Sequence, residues 1–579
     1  MNIFSRIRIP KLGRNNFDLS FENKFTCQMG QLVPFMCQEV LPGDQFKNIS
    51  NILVRFNPLV APMMHRVDVY THFFFVPNRL IWDEWEDFIT GGEDGLQHPI
   101  KPYTTWRQLI KQTFYHGPSS QYVKPGSLTP GSLLDYLGYN FGLTDVQLNS
   151  IKQAGNIDSL DYDWLDVPMD VMPLRAYQLI YNEYYRNQNT QSEIEFYKGS
   201  GFIQADSNVN SNELEKLIDL RYRNWSLDYF TSSLPFSQRG PEQLVPVTGS
   251  TNVDFNFNEP DKIERLPGTS DYGGNILYKN NGELGVNRFQ ATETTGDYAT
   301  PVGVNTPVSI DNSSNLSVSY NNANISIRDL RRAERIQEWL ERSARSGARY
   351  IEQLKGHFGV FSSDSRLQRP EYLGGGKQVV QISAVDQTSA TDLTGSSTPL
   401  GSMAGKAISG GSTNGFKTKE MEEHGFIIGI MSVLPKGGYH QGLNRKFSRF
   451  DKLDYFWPEF QNIGDQEIKT QELYFAQSQA NNNPDVGFGY SPRYAEYKSN
   501  SDEVHGDFKT TLDFWHLNRK FASVPRLNAS FSTTKNTIRQ DIFAVQTDAN
   551  GYPVPNMMID VFNNLIARRP MLYYENPDL

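Results

Sequence analysis

Cysteine is almost absent from this chain, which has only Cys27 and Cys37 among 579 residues. Two cysteines cannot form the dense disulfide framework that stabilises small secreted domains. The two thiols lie ten positions apart, which is not a spacing typical of metal-binding cysteine pairs. The sequence therefore predicts two reduced, structural thiols and no metal site around them.

Long hydrophobic runs are also missing. No apolar segment approaches the roughly 20 residues that a membrane-spanning helix needs. The basic start MNIFSRIRIPKLGRNN is not followed by the apolar stretch of a secretory signal. We therefore expect no membrane span and a protein that is made in a cytoplasm.

Catalytic spacings are absent as well. Gly401–Ala407 (GSMAGKA) has one residue too few between its glycines for a phosphate-binding loop, and Ala407 stands where that motif needs Ser or Thr. Glu422–Phe426 (EEHGF) lacks the second histidine of a zinc protease helix and precedes a strand pattern. His65 and His72 have opposite parity along a strand pattern, so they are predicted to face opposite ways. The sequence predicts no enzyme, no cofactor and no metal site.

Positive charge is scarce, since 55 Lys and Arg face 65 Asp and Glu, for a formal net charge of −10. A protein that wraps nucleic acid by itself is usually basic. Any contact with nucleic acid is therefore expected to be local, or to go through a basic partner.

The first sixteen residues, Met1–Asn16, are the exception, because they contain four basic residues and no acidic one. Extended basic segments attract phosphates without reading bases, and interleaved apolar residues can stack on exposed bases. We predict that this arm contacts nucleic acid. The alternative is an arm that only bridges neighbouring subunits, its cations pairing with carboxylates. The basic residues are Arg6, Arg8, Lys11 and Arg14.

Aromatic residues are plentiful, at 13% of the chain, and Gly and Pro are scattered throughout. This composition favours a folded protein with many short strands joined by loops. In the segment 63–77, alternation places Val67, Val69 and Thr71 on one face of a strand, and the apolar run Phe73–Val76 indicates burial on both faces.

Helices are predicted at 79–89, 172–188 and 328–357, from apolar spacing and from Gly or Pro at their ends. Residues 1–24 are predicted to form an extended arm with little regular structure. Residues 241–325, rich in Asn, Gly, Thr and Ser, are interpreted as a surface insertion, and residues 386–415 as a Gly/Ser/Thr-rich loop.

Seven segments, in a fixed order along the chain, resemble the major capsid protein of the Microviridae, particularly its gokushovirus-like branch. Together they span most of the chain and make chance agreement implausible. They are LVPFMCQEVLPGDQF (Leu32–Phe46), Phe56–Gly92, Arg349–Gly376, HGFIIGIMSVLP (His424–Pro435), Tyr439–Ile468, PRYAEYK (Pro492–Lys498) and DFWHL (Asp513–Leu517).

The resemblance implies a mainly β fold, an eight-stranded antiparallel viral jelly roll with long loop and helical insertions. It implies a T=1 icosahedral shell of identical subunits around a circular single-stranded DNA phage genome. Because of its charge, we place the basic arm on the inner surface of that shell. The resemblance also implies a small basic DNA-packing protein, a minor pilot protein and a host surface receptor as partners.

These expectations divide the chain into four parts. Residues 1–24 are the basic arm, 25–240 the first part of the jelly-roll domain, 241–325 a protrusion at the three-fold axes that contributes to host attachment, and 326–579 the remainder of the jelly roll. The alternative function is that of a receptor- or carbohydrate-binding β protein of a phage spike. Only a shell protein is expected to give closed particles.

Overall fold

The computed structural model describes most of the chain outside the segment 242–326. The described residues are 13–115, 130–139, 163–205, 213–241, 327–386, 388, 401–412, 415–475, 486–547 and 554–574. Within them the structure is mainly β, as the sequence predicts, and every paired strand is antiparallel.

The strands and helices are numbered in chain order. The strands are β1 (Asn15–Asp18), β2 (Phe21–Cys27), β3 (Val33–Val40), β4 (Gln45–Phe56), β5 (Val67–Pro77), β6 (Tyr103–Thr105), β7 (Pro168–Asp170), β8 (Glu371–Val379), β9 (Gln381–Asp386), β10 (Met403–Ser412), β11 (Phe416–Lys417), β12 (Gly425–Pro435), β13 (Asp465–Lys469), β14 (Gly487–Pro492) and β15 (Met557–Arg569). The α-helices are α1 (Trp85–Thr90), α2 (Trp106–Tyr115), α3 (Leu133–Tyr136), α4 (Met172–Ile180), α5 (Glu213–Ile218), α6 (Ile327–Ser346), α7 (Tyr350–Gln353), α8 (Ala495–Lys498) and α9 (Ala529–Ser532).

Among the described residues, seven strands form the larger sheet. Its central order is β1-β15-β4-β10-β9, with β2 also paired to β15 and β11 to β4. The longest pairing joins β15 and β4 over twelve residues, from Met557 opposite Phe56 to Arg568 opposite Gln45. Buried and exposed residues alternate along both strands, as expected for a sheet with one face in the core and one in solvent.

A four-stranded sheet has the order β3-β12-β5-β8. Strand β12 reads GFIIGIMSVLP and is buried almost along its whole length, and so is β5. The expectation that Phe73–Val76 is buried on both faces is confirmed. Phe73 and Phe75 lie in one hydrophobic cluster, whereas Phe74 and Val76 lie in a second cluster on the other side of the sheet.

The first cluster contains side chains of both sheets, which therefore pack face to face. Phe35 of β3 and Phe73 of β5 meet edge to face with ring centroids 5.6 Å apart, and Phe73 also contacts Phe416 of β11 at 4.9 Å. Val54 and Val561 supply the larger sheet's side of this core and are fully buried. Two packed antiparallel sheets are the coarse architecture; the eight-stranded jelly-roll topology stays a prediction.

The second cluster joins the far face of the four-stranded sheet to a helical layer built from residues between 80 and 220. Trp82, Leu109 and Tyr177 are buried there against Phe74 and Ile428. The Tyr177 hydroxyl donates to the carbonyl oxygen of Leu32 at 2.8 Å, tying this layer to the chain just before β3. The layer explains why β5 and β12 carry apolar residues at consecutive positions.

The helix predictions hold in part. At 79–89 a 3-10 turn (Asn78–Leu80) precedes α1, and Gly91, with a φ of 82°, ends α1 as expected. At 172–188, α4 continues as a π-helical turn at Tyr181–Tyr185. At 328–357 the helix is interrupted after α6, because Gly347 takes a φ of 111°, which an uninterrupted helix cannot accommodate.

The prediction of a loop over 386–415 is wrong for residues 403–412, which form β10 between β9 and β4. Small residues make this possible, because the Gly405 backbone lies against that of Leu59 and Ala61, where a side chain would clash with the Ala61 carbonyl oxygen. The sequence MAGKAISGGS has one β-branched residue, Ile408, and no aromatic residue, although such residues usually mark strands. Pairing with two neighbouring strands overrides that weak local preference.

The expectation of little regular structure in residues 1–24 is wrong from Asn15 onwards. β1 and β2 both pair with β15, with Asp18 opposite Ile566 and Phe25 opposite Ile559. Phe21 and Phe25 pack on the first cluster, so alternating apolar residues supply the reason for the strand.

Contacts divide the chain into two compact units, one made of residues 1–239 with 341–579 and the other of residues 240–340. Within the second unit the structure describes residues 240–241 and 327–340, the latter being the first part of α6. The predicted protrusion, residues 241–325, falls almost wholly outside the described residues, and its role stays a prediction.

Candidate nucleic-acid interface

The predicted arm cations fall into two groups. Arg6, Arg8 and Lys11 lie outside the described residues. Arg14 is described and forms a bidentate ion pair with Glu420, one of its two bonds, from Nη1 to Oε2, being 3.0 Å. This pairing raises the pKa of Arg14 and lowers that of Glu420. Arg14 is therefore held by a carboxylate of its own chain, at the start of β1.

The arm enters the fold at the larger sheet, since Asn15 lies opposite Arg569 of β15. Two consecutive arginines there have different surroundings. Arg569 points inward, and its Nε lies 3.3 Å from Oδ2 of the buried Asp44. Arg568 points to the opposite, exposed face, and it has no ion-pair partner among the residues that the structure describes.

The exposed face of the larger sheet, which we call the bare face, carries basic and apolar side chains in alternate positions of β4, β10 and β15. On β4 the outward residues run from Lys47 to Arg55, eight positions apart, or about 27 Å at ~3.4 Å per residue. The bare face consists of the outward residues Lys47, Ile49, Asn51, Leu53, Arg55, Lys406, Ile408, Gly410, Met558, Asp560, Phe562, Asn564, Ile566 and Arg568.

Four cations of the bare face have no ion-pair partner within the described part of the chain, unlike the inward-pointing Arg569. They are Lys47, Arg55, Lys406 and Arg568, and all four are exposed. An unpaired cation at a surface stays available to a ligand, and several on one face produce a local positive potential even on an acidic protein.

Acidic residues on this face are fewer and partly neutralised. Lys24 of β2 lies between Glu22 and Asp560, with its Nζ 3.6 Å from Oδ1 of Asp560. Asp18 of β1 accepts hydrogen bonds from the backbone and hydroxyl of Ser20, which lower the pKa of the Asp18 carboxyl and so keep it negatively charged. The four unpaired cations, together with Lys24, nevertheless outnumber the three carboxylates on this face, which are Asp18, Glu22 and Asp560.

Apolar side chains lie between the cations. Met558 is opposite Arg55, and Phe562 is opposite Asn51, so each interleaves with the polar positions of β4. A shallow depression is lined by Phe562, Leu53 and two glycines, Gly410 and Gly411, which have no side chain to fill it. An aromatic ring beside a flat depression and nearby cations is the combination on which single-stranded nucleic acids stack and pair their phosphates.

Sequence reasoning missed the bare face, because its cations lie at positions 47, 55, 406 and 568 and only the pairing of β15, β4 and β10 brings them together. One feature of the sequence does indicate an exposed sheet face: in β4, the outward positions alternate with the buried residues Phe46, Ile52 and Val54. The register that β4 forms with β15 and β10 could not be predicted, because no local sequence pattern specifies which distant residues lie opposite each other.

The other sequence candidates do not form a site. His72 Nδ1 lies 2.7 Å from the Tyr185 hydroxyl, and His65 Nε2 lies 2.8 Å from the carbonyl oxygen of Lys436. Within the described ranges no group of His, Cys, Asp or Glu has the arrangement of a metal site, and no helix has the length and apolarity to cross a membrane. Cys27 is buried and Cys37 nearly so, and burial raises the pKa of both thiols, to about 12 for Cys37.

Comparison with known proteins gives a consistent result. Residues 5–579 match the family described as "Capsid protein (F protein)". The chain is 34% identical to "Capsid protein VP1" of Chlamydia phage 1, over 100% of this chain and 98% of that protein. It is 31% identical to "Capsid protein VP1" of Bdellovibrio phage phiMH2K (99% and 97% covered) and 28% identical to that of Spiroplasma virus 4 (100% and 97% covered).

The match covers nearly the whole chain, and two relatives exceed 30% identity over their full lengths. The resemblance to the Microviridae is confirmed, and so is the prediction that the protein is structural and not an enzyme, since the family consists of capsid proteins. The chain belongs to the capsid protein (F protein) family and is a major capsid protein of gokushovirus-like Microviridae phages.

Proposed function

We propose that copies of this chain assemble into a closed T=1 icosahedral shell that encloses circular single-stranded DNA, with the bare face of the larger sheet turned towards the genome. The observation that carries the proposal is the set of four unpaired cations, interleaved with apolar side chains, on a protein of net charge −10. Capsid-family membership supports the shell, and the charge distribution supports the choice of inner surface.

The chemistry of the bare face fits a strand whose bases are exposed. Lys47, Arg55, Lys406 and Arg568 can each meet a phosphate without displacing an existing ion-pair partner among the described residues. Phe562 and Met558 offer apolar surface to bases, which double-stranded DNA would keep stacked inside the duplex. No side-chain arrangement on this face requires a particular base sequence.

The arm extends the same surface. Arg6, Arg8 and Lys11 precede Arg14, whose pairing with Glu420 fixes the chain beside β15 and Arg568. We propose that these three residues add phosphate contacts next to the bare face. Arg14 itself is paired with Glu420, so for this residue we propose a role in anchoring the arm and not a phosphate contact.

The remaining expectations belong to the same proposal. The two packed sheets support an eight-stranded viral jelly roll with helical insertions, assembled in a bacterial host cytoplasm. The acidic overall charge fits cooperation with a small basic DNA-packing protein, and a minor pilot protein would complete the particle. Residues 241–325 are proposed to contribute the protrusion that contacts the host receptor.

The test removes the charges of the bare face. In the variant with Lys47, Arg55, Lys406 and Arg568 all changed to Gln, shells are expected to form but to release DNA at lower salt. Each lost phosphate contact lowers the salt dependence of single-strand binding by ~0.7 in the log–log slope, so four contacts lower it by about 3 per subunit. Packaged DNA and its release are measured across a salt series.

A matched control changes four exposed basic residues away from the larger sheet to Gln, namely Arg366, Lys498, Lys509 and Arg526. The net charge falls equally, so an unchanged slope in the control assigns the effect to the bare face. A separate variant with Arg6, Arg8 and Lys11 changed to Gln tests the arm: reduced DNA retention supports nucleic-acid contact, whereas folded subunits that fail to assemble support bridging between subunits. Equal DNA retention in the bare-face variant and wild type contradicts the proposal.

A further inference from the structure

An aromatic segment, residues 447–463, contains seven large apolar residues that are exposed. Phe450 is 91% exposed and Phe447 is 63% exposed, although phenylalanine is usually among the more buried residues. The large apolar residues of the aromatic segment that are exposed are Phe447, Phe450, Leu453, Tyr455, Phe456, Trp457 and Ile463.

The apolar area of this surface lies at the upper end of the range found on typical monomers. At roughly 200 Å² per aromatic side chain, the five rings together expose on the order of 600 Å². The largest apolar patch on a typical monomer is about 300–600 Å². One partner of a standard protein–protein interface contributes about 800 Å². The aromatic segment therefore approaches the area of an interface before its backbone and its two aliphatic residues are counted.

A largely buried cluster of ion pairs fixes the backbone of the aromatic segment. Arg445 and Arg449 both approach Glu496, at 3.8 and 3.3 Å, and Arg445 also pairs with Glu472 at 3.3 Å. The side chains of Arg449 and Glu496 are only 10% and 9% exposed. Such a cluster fixes the backbone on which the exposed rings are carried.

Aromatic contacts add to this support. Tyr494, buried and in the left-handed region with a φ of 62°, meets Phe456 with ring centroids 4.9 Å apart. The Arg449 guanidinium lies over the ring of Tyr497, 4.1 Å from its centroid, and the Trp457 Nε1 donates to the carbonyl oxygen of Lys452 at 2.8 Å. The rings are therefore presented in a defined arrangement, which lowers the entropy cost of binding.

Charge distinguishes the aromatic segment from the bare face. Arg445 and Arg449 are neutralised by buried glutamates, and Lys446 lies 3.5 Å from Glu503. The segment also contains Asp451, Asp454 and Glu459 among its exposed residues. A surface without surplus positive charge but with Phe, Tyr and Trp is typical of the core of a protein–protein contact and not of a phosphate-binding surface.

We infer that the aromatic segment is a contact between neighbouring copies of this chain in the assembled shell, with a second copy covering Phe450 and Trp457. The inference rests on the proposed assembly and names the surface through which it occurs. Closed shells need contacts that join different patches of neighbouring subunits around symmetry axes, and a fixed aromatic surface of this area, without surplus positive charge, suits one side of such a contact.

The first experiment changes Phe450 to Glu in the full chain and follows assembly by sedimentation and electron microscopy. The matched control changes Leu96 to Glu, because Leu96 is a single apolar residue, 80% exposed, outside the aromatic segment. We expect a loss of closed particles of at least ten-fold for F450E with an unchanged circular dichroism spectrum, and wild-type yield for L96E. Wild-type particle yield for F450E overturns the inference.

A second measurement needs no variant and remains decisive if F450E does not fold. Hydroxyl-radical labelling of Phe450 and Trp457 is compared between intact wild-type particles, DNA-free particles and dissociated subunits. Protection in both kinds of particle supports a second copy as the occupant. Protection that disappears in DNA-free particles, or labelling equal to that of free subunits, overturns the inference. Failure of the wild-type chain to form particles at all contradicts the proposed function instead.

Discussion

The two large sheets of this protein share a core but differ in what covers their other faces. The four-stranded sheet is buried on both sides, because the helical layer between residues 80 and 220 packs on Phe74 and Ile428. The larger sheet has only one covered face, and Phe562 and Ile566 of β15 remain exposed. Apolar residues at consecutive positions of β5 therefore mark a covered sheet, and alternation in β15 marks a bare one.

This difference indicates that the covered sheet contributes mainly to the stability of the subunit, whereas the exposed face of the larger sheet is available for the proposed function. The covered sheet buries residues whose removal leaves cavities, so its sequence is constrained by packing. The bare face contributes little to the fold of the subunit, and its unpaired cations are free to serve a ligand. Substitutions at Phe74, His72 and Arg14, two of them paired with a control, test whether the division is as sharp as the structure indicates.

The largest expected effect is at Phe74, which is 1% exposed and packs on Tyr184 with ring centroids 4.6 Å apart. Phe74→Ala is expected to lower the free energy of unfolding by ~3–5 kcal/mol, from lost burial and the cavity left behind. Phe562→Ala, the matched change on the bare face, is expected to stay within about 0.5 kcal/mol. Denaturant unfolding of isolated subunits measures both; losses of equal size would show that the bare face is not independent of the core.

The next effect depends on pH and concerns His72 of β5. Burial, with a smaller contribution from Arg223, lowers the pKa of His72 to about 4. The folded state therefore binds this proton less readily than the unfolded chain, whose histidine has a pKa of about 6.5. The stability that neutral His72 permits is present above pH 6.5 and is lost as the pH falls towards 4.

Removing this group should make the covered sheet less sensitive to acid. His72→Gln keeps a hydrogen-bond acceptor for the Tyr185 hydroxyl, and its loss of stability between pH 7 and pH 4 is expected to be smaller than that of wild type by up to about 3 kcal/mol. His98→Gln, at an exposed loop position, serves as the control. Parallel pH profiles for wild type and H72Q would mean that His72 titrates normally in the folded protein.

The smallest effect is expected at the edge of the bare face, where Arg14 pairs with Glu420. The side chains are 28% and 51% exposed, so solvent screens their attraction and Arg14→Gln is expected to change the free energy of unfolding of the subunit only slightly. The variant should nevertheless make residues preceding β1 more accessible to limited proteolysis. An unchanged cleavage rate would show that the pair does not anchor the arm.

The same two sheets show what the sequence predicts and what it does not. β5 and β12 can be predicted as buried strands, because each contains a run of consecutive apolar residues in its own sequence. β10 is not, because Gly405, Ala407 and Ser409 fit a sheet only through close approach to neighbouring strands. The helix after Ile327 was predicted from its spacing, but its interruption at Gly347 depends on one backbone conformation.

The candidate site divides along similar lines. The cluster of cations in the first sixteen residues is contiguous, so it was predicted directly from the sequence. The cations of the bare face come from three distant strands, and Arg55 meets Met558 and Ile408 only through the strand register. Likewise, both 73–85 and 455–460 are rich in aromatic residues, yet most of the first segment lies in the core, whereas most of the second is exposed.

The most direct test of the central proposal is a pair of electron cryo-microscopy reconstructions, one of DNA-filled particles and one of empty particles. The account predicts that the face carrying Lys47, Arg55, Lys406 and Arg568 lines the interior, with density against Phe562 in filled particles that is absent from empty ones. A bare face that points outward, or that is covered by a neighbouring subunit in both particles, would contradict it.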